Sequence, residues 1–208
     1  MNRDEQISLT EEFVRQNMEG YDSGHDWWHI VRVRKLAKFI NENEILADPF
    51  TVDITALLHD TADSKFAGKE IERSYLSIKE FLDRSEMSDI SDEVINVIKN
   101  ISFSNINKKD NPDDPLLWVI QDADRLDAIG AIGIARAFNY GGFRNNLIYF
   151  PGEKSENTGI STIGHFYDKL LKLKEMMNTS TGHKIAEERH DILEKFLEQF
   201  YGEWYFGN

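Results

Sequence analysis

Histidine and aspartate are the residues of this sequence whose types and spacing could do chemistry. The chain has six histidines and no cysteine, so a metal site would consist of imidazole nitrogens and carboxylate oxygens. The His-Asp dipeptide occurs as His25-Asp26, His59-Asp60 and His190-Asp191, where chance would give about one half of an occurrence. One such dipeptide is more often a buried hydrogen-bonded pair than a ligand set, so its surroundings must decide.

His59 and Asp60 differ from the other two pairs because they end an apolar segment, 56–58. Polar side chains at the end of a buried helix are costly unless they are paired or ligated. His29 lies four residues after His25, and this spacing places both on one face if both are helical. His190-Asp191 instead lies in a charged segment, which favours a structural role.

Asp124 lies in a second apolar segment, with hydrophobic residues at 119, 120, 123, 126 and 129. Buried carboxylates there need partners. Asp122 and Asp127 are near neighbours of Asp124, and their carboxylates need partners for the same reason. A divalent cation bound by two neutral imidazoles and two carboxylates would satisfy such groups at once. Imidazole with carboxylate suits Mn, Fe, Co, Ni or Zn and tolerates Mg less well. Buried His–Asp hydrogen bonds without a metal are the alternative interpretation.

The order of these residues and the strings around them resemble the HD-domain metal-dependent phosphohydrolases, and within them the YpgQ/YedJ-like branch. The strings are HDWWHIVRV at 25–33, ALLHDTADSKF at 56–66, DADRLDAIGAIGIARAF at 122–138 and STIGHFYDKLLKLKEMMNT at 161–179. The resemblance covers about 20–204. It implies a single all-α HD domain over 1–208, with a signature core at about 25–130 and C-terminal helices at about 160–200.

The resemblance also assigns metal ligands, namely His29, His59, Asp60 and Asp124. Asp124 matches the aspartate of an Ala-Asp-Arg-Leu string, which leaves structural or supporting roles for Asp122 and Asp127. The implied cofactor is one divalent ion, Mn, Mg, Co, Ni or Fe.

Two residues are implied to move protons. Asp63 lies three residues after Asp60, where many relatives carry a glutamate, so its reach is one methylene shorter. His25 belongs to the HDWWH string and could contact a phosphate or shuttle a proton. Cationic side chains must surround a phosphate in the transition state, and the candidates are Lys65, Arg34, Lys69 and Arg125, each of which could instead be a solvated surface residue.

The function that the resemblance implies is metal-dependent phosphohydrolysis of a small nucleotide. Cleavage of a nucleoside or deoxynucleoside triphosphate to the monophosphate and pyrophosphate is the first expectation. The alternatives are a 5′-nucleotidase, a phosphodiesterase, or a non-catalytic metal- and nucleotide-binding signalling module.

Helices must position these residues, because helical periodicity dominates the sequence. Apolar residues recur at three- and four-residue steps, which predicts helices over 29–43, 50–60, 69–84, 91–101, 115–138, 161–178 and 181–200. Ser91 is the predicted N-cap of the fourth helix. Asp114 and Pro115 are predicted to open the fifth, and Gly141 and Gly142 to stop it. Only 147–150 could form a strand, so periodicity independently predicts an all-α fold.

Composition limits the partners. The chain carries 24 basic and 37 acidic residues, a formal charge of −13, so no overall field attracts nucleic acid or anionic lipid. No apolar run reaches the roughly 18 residues of a membrane span. The polar N-terminus does not resemble a signal peptide, and a cytoplasmic protein is expected. The aromatic C-terminus, 200–206, either covers the core or forms a homodimer interface, and the homodimer is our prediction.

Overall fold

Helices account for nearly all regular structure in the part of the chain that the computed structural model describes, residues 1–17, 26–62, 71–101, 113–151 and 160–206. Within these ranges β geometry is limited to one isolated bridge, Leu147 to Ser161. The all-α prediction is confirmed, and 147–150 forms no strand. The helices are α1 (Arg3–Asn17), α2 (Trp27–Glu44), α3 (Pro49–Leu58), α4 (Ile71–Arg84), α5 (Ser88–Asn100), α6 (Pro115–Asp127), α7 (Gly130–Phe143), α8 (Thr162–Asp168), a 3-10 helix (Leu170–Met176) and α9 (Ser180–Trp204).

The chain divides into two compact units, Met1–Ala123 and Asp124–Asn208. The boundary lies inside α6, so this one helix begins in the first unit and continues into the second. The prediction of a single domain over 1–208 stays a prediction.

Helix α3 is the central element of the first unit. Every residue from Phe50 to Leu58 is buried, and α1, α2 and α5 all pack against the helix. Asp48 caps its start by accepting a hydrogen bond of 2.9 Å from the Thr51 backbone N–H, and Pro49 occupies the first turn. Because α3 is buried on every side, it ends in the core.

Helix α1 is not among the helices that the sequence predicts, because its buried stripe is mostly polar. Gln6, Thr10 and Val14 are its buried residues, four positions apart. The Gln6 amide donates to the backbone oxygens of Ser85 at 3.1 Å and Glu86 at 2.9 Å, which satisfies the buried donors. A search for apolar residues alone misses such a helix.

The predicted start of the helix at 91 is wrong. Helix α5 begins at Ser88, after Met87, whose side chain is fully buried. Ser91 therefore lies one turn inside the helix, where it is buried. By contrast, Asp114 does cap α6, since its carboxylate accepts from the Leu117 backbone N–H at 3.0 Å.

The predicted continuous helix over 115–138 is also wrong, because α6 ends at Asp127 and α7 begins at Gly130. Gly130 has φ of +75°, a conformation that breaks the helix and that other residues rarely adopt. The apolar pattern continues through this break and so conceals it. The predicted helix over 161–178 is likewise two elements, α8 and the 3-10 helix. The predicted stop at Gly141 and Gly142 is also wrong, because α7 continues through both glycines to Phe143.

Aromatic packing builds the second unit, in which α9 contacts α7 and the 3-10 helix. The rings of Phe138, Phe166 and Phe196 lie 5.6–6.0 Å apart, and Phe166 is fully buried. Towards the end of α9 the aromatic residues come to the surface, and Trp204 and Phe206 are 45% and 90% exposed. This exposed end is the surface for which the sequence predicts a homodimer contact.

Candidate metal centre

His29 is positioned by the start of α2. The helix begins at Trp27, and the Asp26 carboxylate accepts a hydrogen bond of 2.8 Å from the His29 backbone N–H. Asp26 is thus the N-cap, which accounts for the first His-Asp dipeptide without a ligand role. The His29 side chain points inward and has no exposed surface.

His59 is positioned by the end of α3, and a backbone carbonyl orients its ring. Its Nδ1 lies 2.8 Å from the backbone oxygen of Ala56. A carbonyl oxygen only accepts, so Nδ1 is the donor, and in the neutral ring Nε2 is the nitrogen with the lone pair. This role of Ala56 was not among the sequence predictions. The signal for it exists, because carbonyls in the last turn of a helix lack a helical partner.

The two histidines meet through their Nε2 atoms, which are 3.2 Å apart. Their rings lie edge to face with centroids 5.2 Å apart. Oδ2 of Asp60 lies 3.9 Å from Nε2 of His29, and all three side chains are buried. Three of the four predicted ligands therefore lie together within the first unit.

Asp124 follows Ala123 directly in α6, so the helix that begins in the first unit also carries this carboxylate. One ligand atom each from His29, His59 and Asp124 lies within 4.8 Å of the other two. His59 lies 30 positions after His29, and Asp124 lies 65 positions after His59. The structure thus brings together residues that are far apart in sequence, as a shared metal site requires.

The donor set fits a divalent cation. Two nitrogens that are each about 2.1 Å from one ion lie about 3.0 to 3.4 Å apart at octahedral or tetrahedral angles. The observed separation of 3.2 Å falls in that range. With Nδ1 of His59 bound to a carbonyl oxygen, the facing Nε2 atoms need a shared proton or a cation between them, and a metal ion also offsets the two nearby carboxylates.

The neighbouring aspartates of α6 are more deeply buried than Asp124. Asp122 and Asp127 have almost no exposed surface. Oδ2 of Asp127 accepts a hydrogen bond of 2.9 Å from Nη1 of Arg136, within the second unit. This ion pair supports the structural role predicted for Asp127.

Arg34, a predicted substrate contact, is engaged with protein carboxylates. Its Nε and Nη2 donate to the buried Asp53, the latter at 2.9 Å, and its Nη1 donates to Glu11 at 2.6 Å. The hydrogen bond to Asp53 raises the pKa of Arg34 against the opposing effect of burial. These bonds tie α1 and α2 to α3, so the structure shows a packing role and the substrate role stays a prediction.

Arg125 also has a protein acceptor, because its Nη1 donates to the backbone oxygen of Met176. Its substrate role, too, stays a prediction. The remaining predicted site residues lie outside the described part of the chain and keep the roles predicted for them: His25, Asp63, Lys65 and Lys69.

Buried, converging histidines and aspartates in an all-helical fold define a class of metal-binding helical domains. The HD domain family matches residues 27–129, which include all four predicted ligands. The chain is also 40% identical over 194 residues to the uncharacterized protein YpgQ of Bacillus subtilis, covering 90% of this chain and 88% of the relative. The chain therefore belongs to the HD domain family.

Solved structures agree with this assignment. The crystal structure of Bacillus subtilis YpgQ in complex with ADP is similar with a TM-score of 0.79 and 37% identity, over 97% of this chain and 98% of the other. An HD-superfamily hydrolase from Bacillus thuringiensis has a TM-score of 0.79 and 39% identity, with 98% of each chain covered. No helix among the described residues has the length and apolar character needed to cross a membrane.

Proposed function

We propose that this protein is a metal-dependent phosphohydrolase that cleaves a nucleoside or deoxynucleoside triphosphate to the monophosphate and pyrophosphate. The observation that carries the proposal is the convergence of His29, His59 and Asp124. Membership of the HD family and a related hydrolase structure support hydrolysis. The related YpgQ structure was obtained with ADP, which supports a nucleotide as the ligand of this chain.

Different residues of the chain would bind the metal, transfer protons and neutralise the phosphates. His29 and His59 would hold a divalent ion through Nε2, with Asp60 and Asp124 adding negative charge. When bound, such an ion acidifies water and polarises a phosphoryl oxygen. We assign proton transfer to Asp63 and His25, and neutralisation of the phosphates to Lys65, Lys69, Arg125 and Arg34.

The test is turnover by purified protein stripped of metal and resupplied with Mn, Mg, Co or Ni. A panel of triphosphates, monophosphates and cyclic nucleotides is supplied, and the products are separated by ion exchange. We expect pyrophosphate and a monophosphate, formed only with metal, and no product from His59→Ala. His183→Ala, which removes an exposed histidine of α9, is the matched control and should keep full activity.

Other outcomes name other functions. Orthophosphate released from monophosphates would move the protein to the 5′-nucleotidases, and hydrolysis of cyclic nucleotides to the phosphodiesterases. Binding of metal and nucleotide without turnover would make it a signalling module.

Assembly and location are proposals of the same kind. We propose a homodimer through the exposed aromatic end of α9, where Trp204, Tyr205 and Phe206 are each at least 43% exposed. A cytoplasmic location fits a chain without cysteine. Sedimentation of the wild type and of Trp204→Ser would test the homodimer.

A further inference from the structure

The last turn of α6 is anchored at three consecutive residues directly after Asp124. Nη1 of Arg125 donates to the backbone oxygen of Met176. Leu126 accepts a hydrogen bond through its backbone oxygen, and Asp127 accepts one through its carboxylate. All of the partners belong to the second unit, as Asp124 does. These contacts therefore hold the part of the helix from which the Asp124 carboxylate projects.

Arg189 of α9 makes the contact to the backbone of this turn. Its Nη1 lies 2.5 Å from the backbone oxygen of Leu126. The same oxygen accepts a longer bond of 3.3 Å from the Ile129 N–H, only three residues further on, because carbonyls at a helix end lose their usual helical partner. A cationic donor at that end also interacts favourably with the helix dipole. Arg189 thus caps the carboxyl end of α6, two residues after Asp124.

Gly130 leaves room for this contact. Its φ is +75°, and a Cβ at this position would lie 3.0 Å from Cγ and 3.1 Å from Cβ of Arg189. The aliphatic stem of Arg189 therefore packs directly on the Gly130 backbone. Burial lowers the pKa of Arg189, and the negative charge of Asp127 opposes this effect. Packing as well as a hydrogen bond thus holds the arginine in place.

We propose that Arg189 is a positioning residue for the metal centre, which fixes the orientation of the ligand Asp124 by holding the carboxyl end of α6. A ligand that is held in its binding orientation before the ion arrives loses less conformational freedom on binding. The inference rests on the metal centre of the proposed function. It adds a residue outside 27–129, the part of the chain that the HD family matches.

The expected effect of Arg189 on metal affinity is opposite in sign to the effect of its charge. A nearby guanidinium repels a divalent cation, so loss of the charge alone would strengthen metal binding. Loss of a positioning contact weakens it, by about 10–100-fold for outer partners of metal ligands. A purely structural contact would lower the stability of the metal-free protein and leave metal affinity unchanged. Metal affinity therefore separates these three roles.

Calorimetric titration of metal-stripped protein with manganese tests the proposal, at a temperature where circular dichroism shows every variant to be folded. Arg189→Met keeps the aliphatic stem but removes the guanidinium, and it should weaken manganese binding about tenfold or more. Arg189→Lys keeps a cationic donor for the single acceptor and should recover most of the affinity. Lys195→Met removes the same charge from an exposed position of α9, so this matched control should bind like the wild type.

Gly130→Ala disturbs the same contact from the other side. The added Cβ displaces the stem of Arg189 without removing its charge, so manganese binding should weaken in this variant as well. In the Arg189→Met background, Gly130→Ala should cause little further loss of affinity, because the contact is already gone. Full additivity of the two losses would overturn the proposal, since the two residues would then not act through one contact.

The remaining outcomes distinguish this inference from the proposed function. Equal manganese affinity in the wild type and Arg189→Met would overturn the positioning role, as would tighter binding in the variant, and both would leave the proposed function intact. If the difference in affinity is present but the wild type turns over no nucleotide, the proposed function is contradicted and the positioning role stands. Absence of manganese binding by the wild type would overturn both.

Discussion

The Ala56 carbonyl decides what His59 presents to the centre. By accepting from Nδ1 at 2.8 Å, it leaves Nε2 as the atom that faces Nε2 of His29. The ring is thereby oriented before any ion arrives, which is how an outer hydrogen bond raises the affinity of a ligand. Burial of both rings adds to this, because water cannot compete for the same nitrogen atoms.

The two aspartates of α6 should behave differently when each loses its charge. Asp124→Asn should weaken metal binding by about 100-fold or more, since even outer partners of metal ligands are worth 10–100-fold. Asp127→Asn should retain the metal and lower the free energy of unfolding by about 2 kcal/mol, because Arg136 loses its charged partner. Metal titration and urea unfolding of both variants measure the two effects.

The opposite result for the two variants would change the ligand assignment. If Asp127→Asn loses the metal and Asp124→Asn keeps it, the ligand is Asp127 and the Ala-Asp-Arg-Leu string is not a guide to the site. Helix content measured by circular dichroism must stay near wild type in both variants for either result to count.

At the scale of residues, the sequence identified much of the candidate site. The apolar context of His59 and Asp124 indicated buried polar groups, and the structure brings both to His29. The sequence did not show that Arg34 is held by Asp53 and Glu11. That arrangement depends on how α1, α2 and α3 pack, and no local pattern encodes which charges meet across helices.

At the scale of elements, the cap of α3 fixes the helix that ends in His59. Asp48→Ala should lower the free energy of unfolding by about 1 kcal/mol at neutral pH, since the Thr51 N–H loses its acceptor. Asp48→Asn keeps an acceptor and should lose much less. Urea unfolding measures both, and Asp191→Ala, an exposed change within α9, should have almost no effect.

The Asp48 cap also predicts a pH dependence. Burial alone would raise the pKa of Asp48, but hydrogen bonds from Thr51 outweigh it and hold this pKa below its ordinary value of 3.8. The unfolded state therefore takes up the proton first, and the stabilisation is present above about pH 4 and lost as the pH falls through the lower, folded value. The stability difference between wild type and Asp48→Ala should be constant from about pH 5 to 7 and shrink below about pH 4. A difference that grows below that pH would contradict the assignment.

The break between α6 and α7 depends on Gly130. Gly130→Ala should destabilise the protein by about 1–3 kcal/mol, because φ is +75° and a Cβ would lie 3.0 Å from Cγ of Arg189. Gly202→Ala is the matched control, since a Cβ there meets nothing within 4 Å and the helix propensity improves. Thermal unfolding should therefore move in opposite directions for the two variants. Equal shifts would mean that the turn tolerates a side chain.

Comparison of these elements with the predicted helices shows which helix bounds the sequence encodes. The periodicity of 29–43 and 50–60 found α2 and α3 to within two residues, because each buries an apolar face. It missed α1, whose buried stripe consists of Gln6, Thr10 and Val14. It also ran through Gly130, because apolar residues on both sides of a break keep the same pattern as a continuous helix.

At the scale of the whole molecule, the net negative charge has opposite effects on an anionic substrate and on a metal ion. The chain carries 13 more acidic than basic residues, so an anionic substrate is repelled at long range while a divalent cation is attracted. Asp60 and Asp124 bring two of those negative charges to the two histidines. An ion at this position would therefore stabilise the folded chain.

Metal binding should accordingly be measurable as stability of the entire fold. The unfolded chain cannot hold His29, His59 and Asp124 together, so metal at about 100 times its Kd should raise the free energy of unfolding by about 2.7 kcal/mol. Thermal unfolding with and without manganese measures this, and a chelator should reverse it. His183→Ala should show the full increase and His59→Ala almost none. An equal increase in His59→Ala would place the ion elsewhere in the molecule, because His59 supplies one of the two nitrogens on which the centre depends.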